Sequence, residues 1–150
     1  MPDSSHKIIV IGASHGGVAA LERIISSLPS DLNAAVFVVL HIGSSSRSSL
    51  PEILSRTSSL PVSWALHTDR ITPGRIYIAP PDQHMLLAQG YVRTVHGPKE
   101  NHTRPAVDPL FRSAALAYGA DVIGVILTGN LDNGTAGLLA IKDCGGVTVV

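Results

Sequence analysis

The stretch Val10–Leu21, VIGASHGGVAAL, runs from an apolar strand through a turn of small residues into a helix. Apolar residues recur at helical spacing as far as Leu28, and Pro29 ends the pattern. A turn of this kind either cradles a phosphate group or holds a serine out for chemistry. The two interpretations predict different proteins, so the residues around the turn decide between them.

The composition predicts one globular domain with an aliphatic core. Of 150 residues, 45% are hydrophobic, 15% are charged and 4% are aromatic, so a single domain over residues 1–150 can bury a sizeable core. The formal net charge is zero and no polybasic run occurs, which argues against nucleic acid or an anionic membrane as the main partner. Because the last residues, GGVTVV, stop inside an apolar strand, we expect a domain truncated at its C-terminus.

Cysteine, histidine and hydropathy patterns exclude further classes. Cys144 is the only cysteine, which rules out an internal disulfide and a thiolate metal cluster. His6, His67 and His96 show no ligand spacing among themselves, so no metal site is expected. Structural hydrogen bonds are expected for His84, His102 and Arg104, and no cofactor is expected. No apolar run approaches the roughly 18 residues of a spanning helix, so we predict no membrane insertion and a cytoplasmic location.

Strands alternate with helices, which predicts an α/β fold: a doubly wound, mostly parallel sheet flanked by helices. Strands are predicted over Lys7–Ile11, Ala34–His41, Val62–Leu66, Arg75–Ala79, Met85–Ala88, Tyr91–His96, Val122–Thr128 and Val147–Val150, and helices over Val18–Leu28, Leu50–Arg56, 106–118 and Thr135–Asp143. The three strands between Arg75 and His96 follow one another too closely for crossover helices. This stretch is therefore predicted to be antiparallel, with a small hairpin near one edge of the sheet.

The turn Gly12–Gly17, GASHGG, fits a serine elbow better than a phosphate loop. A dinucleotide fingerprint needs a glycine where Ser14 stands and an acidic residue about 20 positions later, and a P-loop needs a Gly-Lys-Ser/Thr sequence. The pattern G-x-S-x-G at a strand-to-helix turn instead exposes the serine hydroxyl beside the N–H groups of the helix start. A helix N-cap role for Ser14 and a phosphate site remain as alternatives.

Polar residues follow three of the predicted strands at their carboxyl ends. Ser14 follows the first strand, His41 ends the second, and the turn Asn130–Asn133 follows the strand that ends at Thr128. In a doubly wound sheet, catalytic and binding groups gather at this edge. A hydroxyl, an imidazole and an amide or carboxylate together predict nucleophilic catalysis, with Ser14 activated by His41.

Five ordered segments resemble one known family. VIGASHGG, the LH that ends the second strand, IAPPDQHM, NHTRPAVDPLF and GVILTG…GTAGL occur in the order found in the catalytic domain of CheB-type chemotaxis protein-glutamate methylesterases. The resemblance covers residues 7–150, which do not include the receiver domain usual in chemotaxis members. It implies a serine hydrolase that removes methyl esters from glutamate side chains of chemoreceptors and deamidates glutamine. The implied partners are methylated chemoreceptor cytoplasmic helices or another methylated signalling protein.

The resemblance assigns a triad that departs from the family at one position. Ser14 matches the family's serine and His41 its histidine, but Asn133 stands where the family has the aspartate that orients the imidazole. An amide lacks the charge that stabilises imidazolium, so reduced activity is expected. Asp132 serving instead, deamidation of Asn133 before Gly134, a weak esterase, and a non-catalytic CheB-like signalling module are the open outcomes.

Four further residues are candidates for binding the oxyanion or the substrate. The Gly129–Asn130 turn is expected to offer N–H groups to the oxyanion, and His15 beside the nucleophile is a candidate proton carrier or an exposed helix-start residue. Alternatively, Asn130 is a turn residue with no role in binding the oxyanion. Arg47, in the loop after the second strand, is a candidate for attracting an acidic peptide or the product carboxylate, or a solvated loop charge.

Overall fold

The computed structural model describes residues 6–40, 49–100, 102–127 and 134–150, and only the backbone of His15. The strands are β1 (Lys7–Ala13), β2 (Ala34–Leu40), β3 (Val62–Trp64), β4 (Ile76–Ile78), β5 (His84–Ala88), β6 (Tyr91–Val95), β7 (Val122–Ile126) and β8 (Val147–Val149). The helices are α1 (Val18–Ser27), α2 (Leu50–Ser55), α3 (Val107–Tyr118) and α4 (Thr135–Asp143), with short 3₁₀ turns at His15–Gly17 and Gly119–Asp121.

The centre of the molecule is a parallel sheet of six strands in the order β3-β4-β2-β1-β7-β8. All residues of β2, AAVFVVL, are buried. A continuous apolar run of this kind is typical of a parallel strand that is covered on both faces. The sequence-based prediction of a mostly parallel α/β sheet is confirmed.

Alternating side chains of β2 separate two core layers. Phe37 and Val39 pack in the same cluster as residues of α3 and α4, whereas Val38 and Leu40 pack in the same cluster as residues of α1 and α2. Successive strand residues point to opposite faces, so one buried strand serves both layers. The sheet is therefore flanked by helices on both faces, as predicted.

The prediction that the whole stretch from Arg75 to His96 is antiparallel was wrong for its first strand. β4 pairs in parallel with both β2 and β3. The connection from β3 to β4, residues 65–75, is long enough to return the chain along the sheet without a helix. The Tyr77 hydroxyl fixes this loop, because it donates to the Arg70 carbonyl oxygen at 2.8 Å and accepts the Thr72 N–H at 2.9 Å.

The predicted hairpin is confirmed as a separate two-stranded antiparallel sheet, β5-β6, which packs on α3. The Leu87 N–H donates to Ser113 Oγ at 2.9 Å, and the Gly90 N–H donates to the Tyr118 hydroxyl at 2.7 Å. Gly90 has φ +91°, a conformation that glycine adopts at no steric cost. These bonds hold the hairpin against the helix whose first turn reaches the candidate site.

The observed elements lie close to the predicted ones. β1 continues two residues beyond the predicted Ile11, to Ala13, and β2 is described as far as Leu40, one residue before His41. Within the described ranges, no helix combines the length and the apolar character needed to cross a membrane.

Candidate active site

Ser14 lies directly after β1 and before the 3₁₀ turn that leads into α1. Its backbone is extended, with φ −91° and ψ 178°, and the Gly17 N–H donates to the Ser14 carbonyl oxygen at 2.8 Å. The bend therefore lies in the 3₁₀ turn, and Ser14 itself carries none of the backbone strain of the nucleophile elbow in α/β-hydrolases. The Ser14 hydroxyl makes no capping hydrogen bond, so the N-cap alternative does not describe this turn.

Gly12 allows the strand that carries Ser14 to approach the start of α3. A Cβ atom at position 12 would lie 2.7 Å and 2.8 Å from the two methyl groups of Val107, and 3.2 Å from Ile126 Cδ1. Real Cβ atoms essentially never come that close to another heavy atom. The glycine is thus required by packing. It allows Val107, in the first turn of α3, to lie against the end of β1, two residues before Ser14.

The strand order places Ser14 at the topological switch point of the sheet. β1 lies between β2 and β7, and the chain leaves β1 towards β2 but returns on the other side at β7. Ala13 is in register with Leu40, the residue before His41, and the Leu127 N–H donates to the Gly12 carbonyl oxygen at 2.9 Å. Ligands of open α/β sheets bind in the crevice that such a reversal creates at the carboxyl ends.

The residues on either side of the segment 128–133 both lie near the end of β1. Gly134, which begins α4 with φ +104°, lies so close to Ile126 and Val107 that a Cβ there would be 2.8 Å from Ile126 Cδ1 and 3.3 Å from Val107 Cγ1. Val107 thus packs against both Gly12 and Gly134. Leu127 and Gly134 therefore both lie beside the residues that precede Ser14 or the side chain that packs on them.

Most of the predicted site residues lie outside the described part of the chain. They are His41, Arg47, Gly129, Asn130, Asp132 and Asn133. His15 belongs to the 3₁₀ turn, and its side chain is not described. Ser14 is thus placed at the switch point, and the contacts of the other residues with it stay predictions.

Arg104 and Asp82 join the two loops that carry family-like motifs. Arg104 donates from Nη2 to Asp82 Oδ1 at 2.8 Å and from Nη1 to the Gly97 carbonyl oxygen at 3.1 Å. His96 Nε2 lies 3.1 Å from the other carboxylate oxygen of Asp82. Hydrogen bonds from Arg104 and then from His96 lower the pKa of Asp82 below its ordinary value. The structural role predicted for Arg104 is confirmed.

His84 is a buried structural residue with both ring nitrogens engaged. The Ala106 N–H donates to Nδ1 at 3.3 Å, which leaves Nε2 to donate to the Pro98 carbonyl oxygen at 2.7 Å. His102 has φ +66° and is exposed. Among the described residues, no group of three His, Cys, Asp or Glu side chains is arranged to hold a metal ion.

The sequence analysis did not identify Val107 and Asp108, whose contacts join the end of β1, the start of α3 and the start of α4. Both lie in the first turn of α3, and Asp108 is a buried carboxylate that accepts the Gly137 N–H from α4 at 2.8 Å. A signal was available in GTAGL, since a glycine inside a predicted helix often marks a close approach. The partner of that glycine could not be read from the sequence.

Comparisons with known proteins agree with this architecture. The family model described as CheB methylesterase matches residues 9–150. A protein-glutamate methylesterase/protein-glutamine glutaminase of Syntrophus aciditrophicus is 41% identical over 153 aligned positions, which cover 99% of this chain and 44% of that protein. Another, from Methanosarcina acetivorans, is 43% identical, covering 95% and 42% respectively. The chain spans less than half the length of these curated relatives.

A solved structure gives the same result for the fold. The crystal structure of the Thermotoga maritima CheB methylesterase catalytic domain matches with a TM-score of 0.91 and 38% identity, over 96% of this chain and 78% of that chain. The similarity therefore extends over nearly the whole length of this chain. On the family match over residues 9–150 and the identity to these relatives, the chain belongs to the CheB methylesterase family.

Proposed function

We propose that this chain is a serine hydrolase that removes methyl esters from glutamate side chains, with Ser14 as the nucleophile. The observation that carries the proposal is the position of Ser14 at the switch point of the sheet, between the carboxyl ends of β2 and β7. Its membership of the CheB methylesterase family gives the reaction class. No metal or cofactor takes part in this proposal.

The proposed reaction runs in two steps through a covalent intermediate. Ser14 Oγ attacks the γ-carbonyl carbon while His41 takes the hydroxyl proton, and the imidazolium then protonates departing methanol. Water, deprotonated by the same imidazole, cleaves the acyl-enzyme and releases the glutamate carboxylate and the serine hydroxyl. N–H groups of the helix start and of the Gly129–Asn130 turn stabilise the oxyanion in both steps.

The third position of the triad sets the rate in this proposal. Asn133 orients the imidazole through its amide oxygen but supplies no charge to the imidazolium, so turnover is lower than with an aspartate. The contacts of Gly134, the residue after Asn133, with Val107 and Ile126 support the proposed position of Asn133. Asp132 is the alternative carboxylate. His15 and Arg47 are proposed to contact the substrate, Arg47 by attracting acidic groups.

The substrate proposed is a methylated helix of a chemoreceptor cytoplasmic domain, or another methylated signalling protein, and the same site would deamidate glutamine. Both reactions pass through the same acyl-enzyme, because methanol and ammonia leave from the same carbonyl carbon. The relatives that are named for both activities support the pairing. These substrates lie in the cytoplasm, where the chain is proposed to act.

Methanol release from a peptide with a γ-methyl glutamate tests the role of Ser14. Ser14→Ala should abolish release, whereas Ser26→Ala, an exposed serine on α1, should leave the rate of the unsubstituted chain unchanged. Equal methanol release by the unsubstituted chain and by Ser14→Ala would reject Ser14 as the nucleophile. Circular dichroism and thermal melting of the variants confirm that each is folded.

Asn133→Asp tests the reduced-activity hypothesis directly. In a serine protease the reverse change lowers turnover about ten-thousandfold, so we expect at least a roughly tenfold rise here. Asp132→Asn is the matched variant, because it lowers the rate of the unsubstituted chain only if Asp132 orients the imidazole. Mass spectrometry of fresh and aged protein measures how much Asn133 has already become aspartate.

A non-catalytic signalling module is the second candidate function, and Asn133 at the aspartate position is the observation that favours it. It predicts equal, negligible methanol release from the unsubstituted chain and from Ser14→Ala. It also predicts binding of a receptor peptide with the same affinity whether or not its glutamates are methylated. An esterase whose carbonyl site recognises the ester would bind the methylated peptide more tightly.

A further inference from the structure

Asp108 is a carboxylate buried between two helix starts. It lies in the first turn of α3, is 5% exposed, and accepts the Gly137 N–H from the first turn of α4 through Oδ1 at 2.8 Å. The N-terminal end of each helix carries partial positive charge, which attracts the carboxylate oxygens at this point. Asp108 therefore links the starts of α3 and α4.

α4 depends on an external acceptor because its own N-cap cannot provide one. The N-cap residue is Gly134, which has no side chain, and the first intrahelical bond runs from Leu138 N–H to the Gly134 carbonyl oxygen. N–H groups before Leu138 have no acceptor within the helix. Asp108 gives one of them the charged oxygen that an N-cap aspartate would otherwise supply.

The close contact of the two helices requires glycine at position 137. A Cβ atom there would lie 2.5 Å from Phe111 Cβ and 3.0 Å from Asp108 Oδ1. A side chain would separate the helices and lengthen the hydrogen bond. The sequence GTAGL thus places a glycine with positive φ at the start of α4, Gly134, and a second glycine, Gly137, where α4 closely approaches α3.

The same turn of α3 contacts the serine turn, which connects this cap to the site. Val107, next to Asp108, packs against Gly12, two residues before Ser14, and against Gly134, which follows Asn133. A shift of the α4 start relative to α3 would move Gly134 away from Val107 and loosen the contact of α3 with Gly12. The hydrogen bond from the Gly137 N–H to Asp108 opposes such a shift.

We propose that Asp108 is a positioning residue for the hydrolysis: by capping α4 it holds the start of that helix, at Gly134, against Val107 and so against the end of the strand that precedes Ser14. The inference rests on the proposed function for its catalytic consequence, but the cap itself can be tested without any activity. Asp108 touches neither substrate nor reacting atoms in this proposal. Its effect on the rate passes through the packing of Val107 between Gly134 and Gly12.

Amide hydrogen exchange of the full chain tests the cap. Asp108→Ala should raise the exchange rate of the Gly137 amide and its neighbours in α4 by roughly tenfold, the usual size of a lost cap. Asp108→Asn, which keeps an acceptor oxygen, should restore most of the protection and also serves if the alanine variant does not fold. Ser113→Ala, which removes a side-chain acceptor from the same helix at the hairpin, is the control and should leave α4 unchanged. Unchanged exchange at Gly137 in Asp108→Ala overturns the proposal.

Turnover in two backgrounds tests the catalytic consequence. If Asp108 holds the start of α4, which residue 133 directly precedes in the chain, Asp108→Ala should lower kcat at least about tenfold more in the Asn133→Asp background than in the unsubstituted chain, with KM nearly constant. A merely structural role lowers kcat by the same factor in both, and that result overturns the proposal. If no variant hydrolyses ester in a Ser14-dependent way, the proposed function fails and the positioning role with it, whereas the exchange data still decide the cap.

Discussion

Gly12→Ala is the substitution whose effect can be worked out most directly from the structure. The new methyl group would lie 2.7 Å and 2.8 Å from the Val107 methyl groups and 3.2 Å from Ile126 Cδ1. Val107 is 3% exposed and anchored in the first turn of α3, so relief requires a movement of the helix start. We expect the substitution to destabilise the fold and to disturb the Ser14 turn together.

The magnitude follows from two opposing effects. Overpacking of a buried site costs about 1–3 kcal/mol. The backbone of Gly12 does not have positive φ, so alanine can adopt its conformation. Because alanine also lowers the conformational entropy of the unfolded chain, it stabilises the fold by about 0.5–1 kcal/mol. The free energy of unfolding should therefore fall by about 1–2 kcal/mol on balance.

A double-mutant cycle with Val107→Ala isolates the contact. Val107→Ala alone removes two buried methyl groups and should cost about 2 kcal/mol. Because the truncated side chain makes room for the new methyl group, the double variant should be more stable than the sum of the singles by about 1–2 kcal/mol.

Urea unfolding, followed by the fluorescence of Trp64, the only tryptophan, measures each variant. Gly12→Ala with a stability within about 0.5 kcal/mol of the unsubstituted chain, or a cycle that is additive, would refute the packing argument. In that case the approach of α3 to the serine turn is looser than the structure indicates.

Two further predictions concern the loops joined by Asp82 and His84. The lowered pKa of Asp82 means that its ion pair with Arg104 stabilises the fold above the ordinary carboxyl pKa of 3.8 and is lost as the pH falls through the lower folded value. Asp82→Asn should therefore reduce stability slightly at pH 7, and its difference from the unsubstituted chain should vanish in strong acid; a constant difference in a urea–pH series would contradict this. His84→Phe should cost about 1–3 kcal/mol, because two buried or part-buried backbone groups lose their partners. The same change at His67 should cost less in the same urea assay, because the Thr94 N–H that donates to His67 Nδ1 at 3.1 Å is exposed and can bond to water instead.

The local pattern of the sequence predicted most of the elements, because each depends on residues close together in the chain. The apolar run of β2 indicated a strand covered on both faces, and the spacing that starts at Val18 indicated a helix. Ser14 was predicted at a strand-to-helix turn for the same reason, and the structure places it there. The antiparallel prediction for β4 was wrong, because pairing direction depends on where the loop 65–75 brings the chain back.

The sequence by itself thus determined the alternation of strands and helices, the family motifs and the candidate nucleophile, since periodicity and turn chemistry act over a few residues. Only the tertiary structure decided what supports the turn: Val107 between Gly12 and Gly134, and Asp108 against Gly137. These contacts join segments far apart in the chain, and they depend on the order of strands in the sheet, which residue patterns do not encode locally. The sequence shows glycines at positions 12, 134 and 137, and only the folded chain shows which side chain lies against each of them.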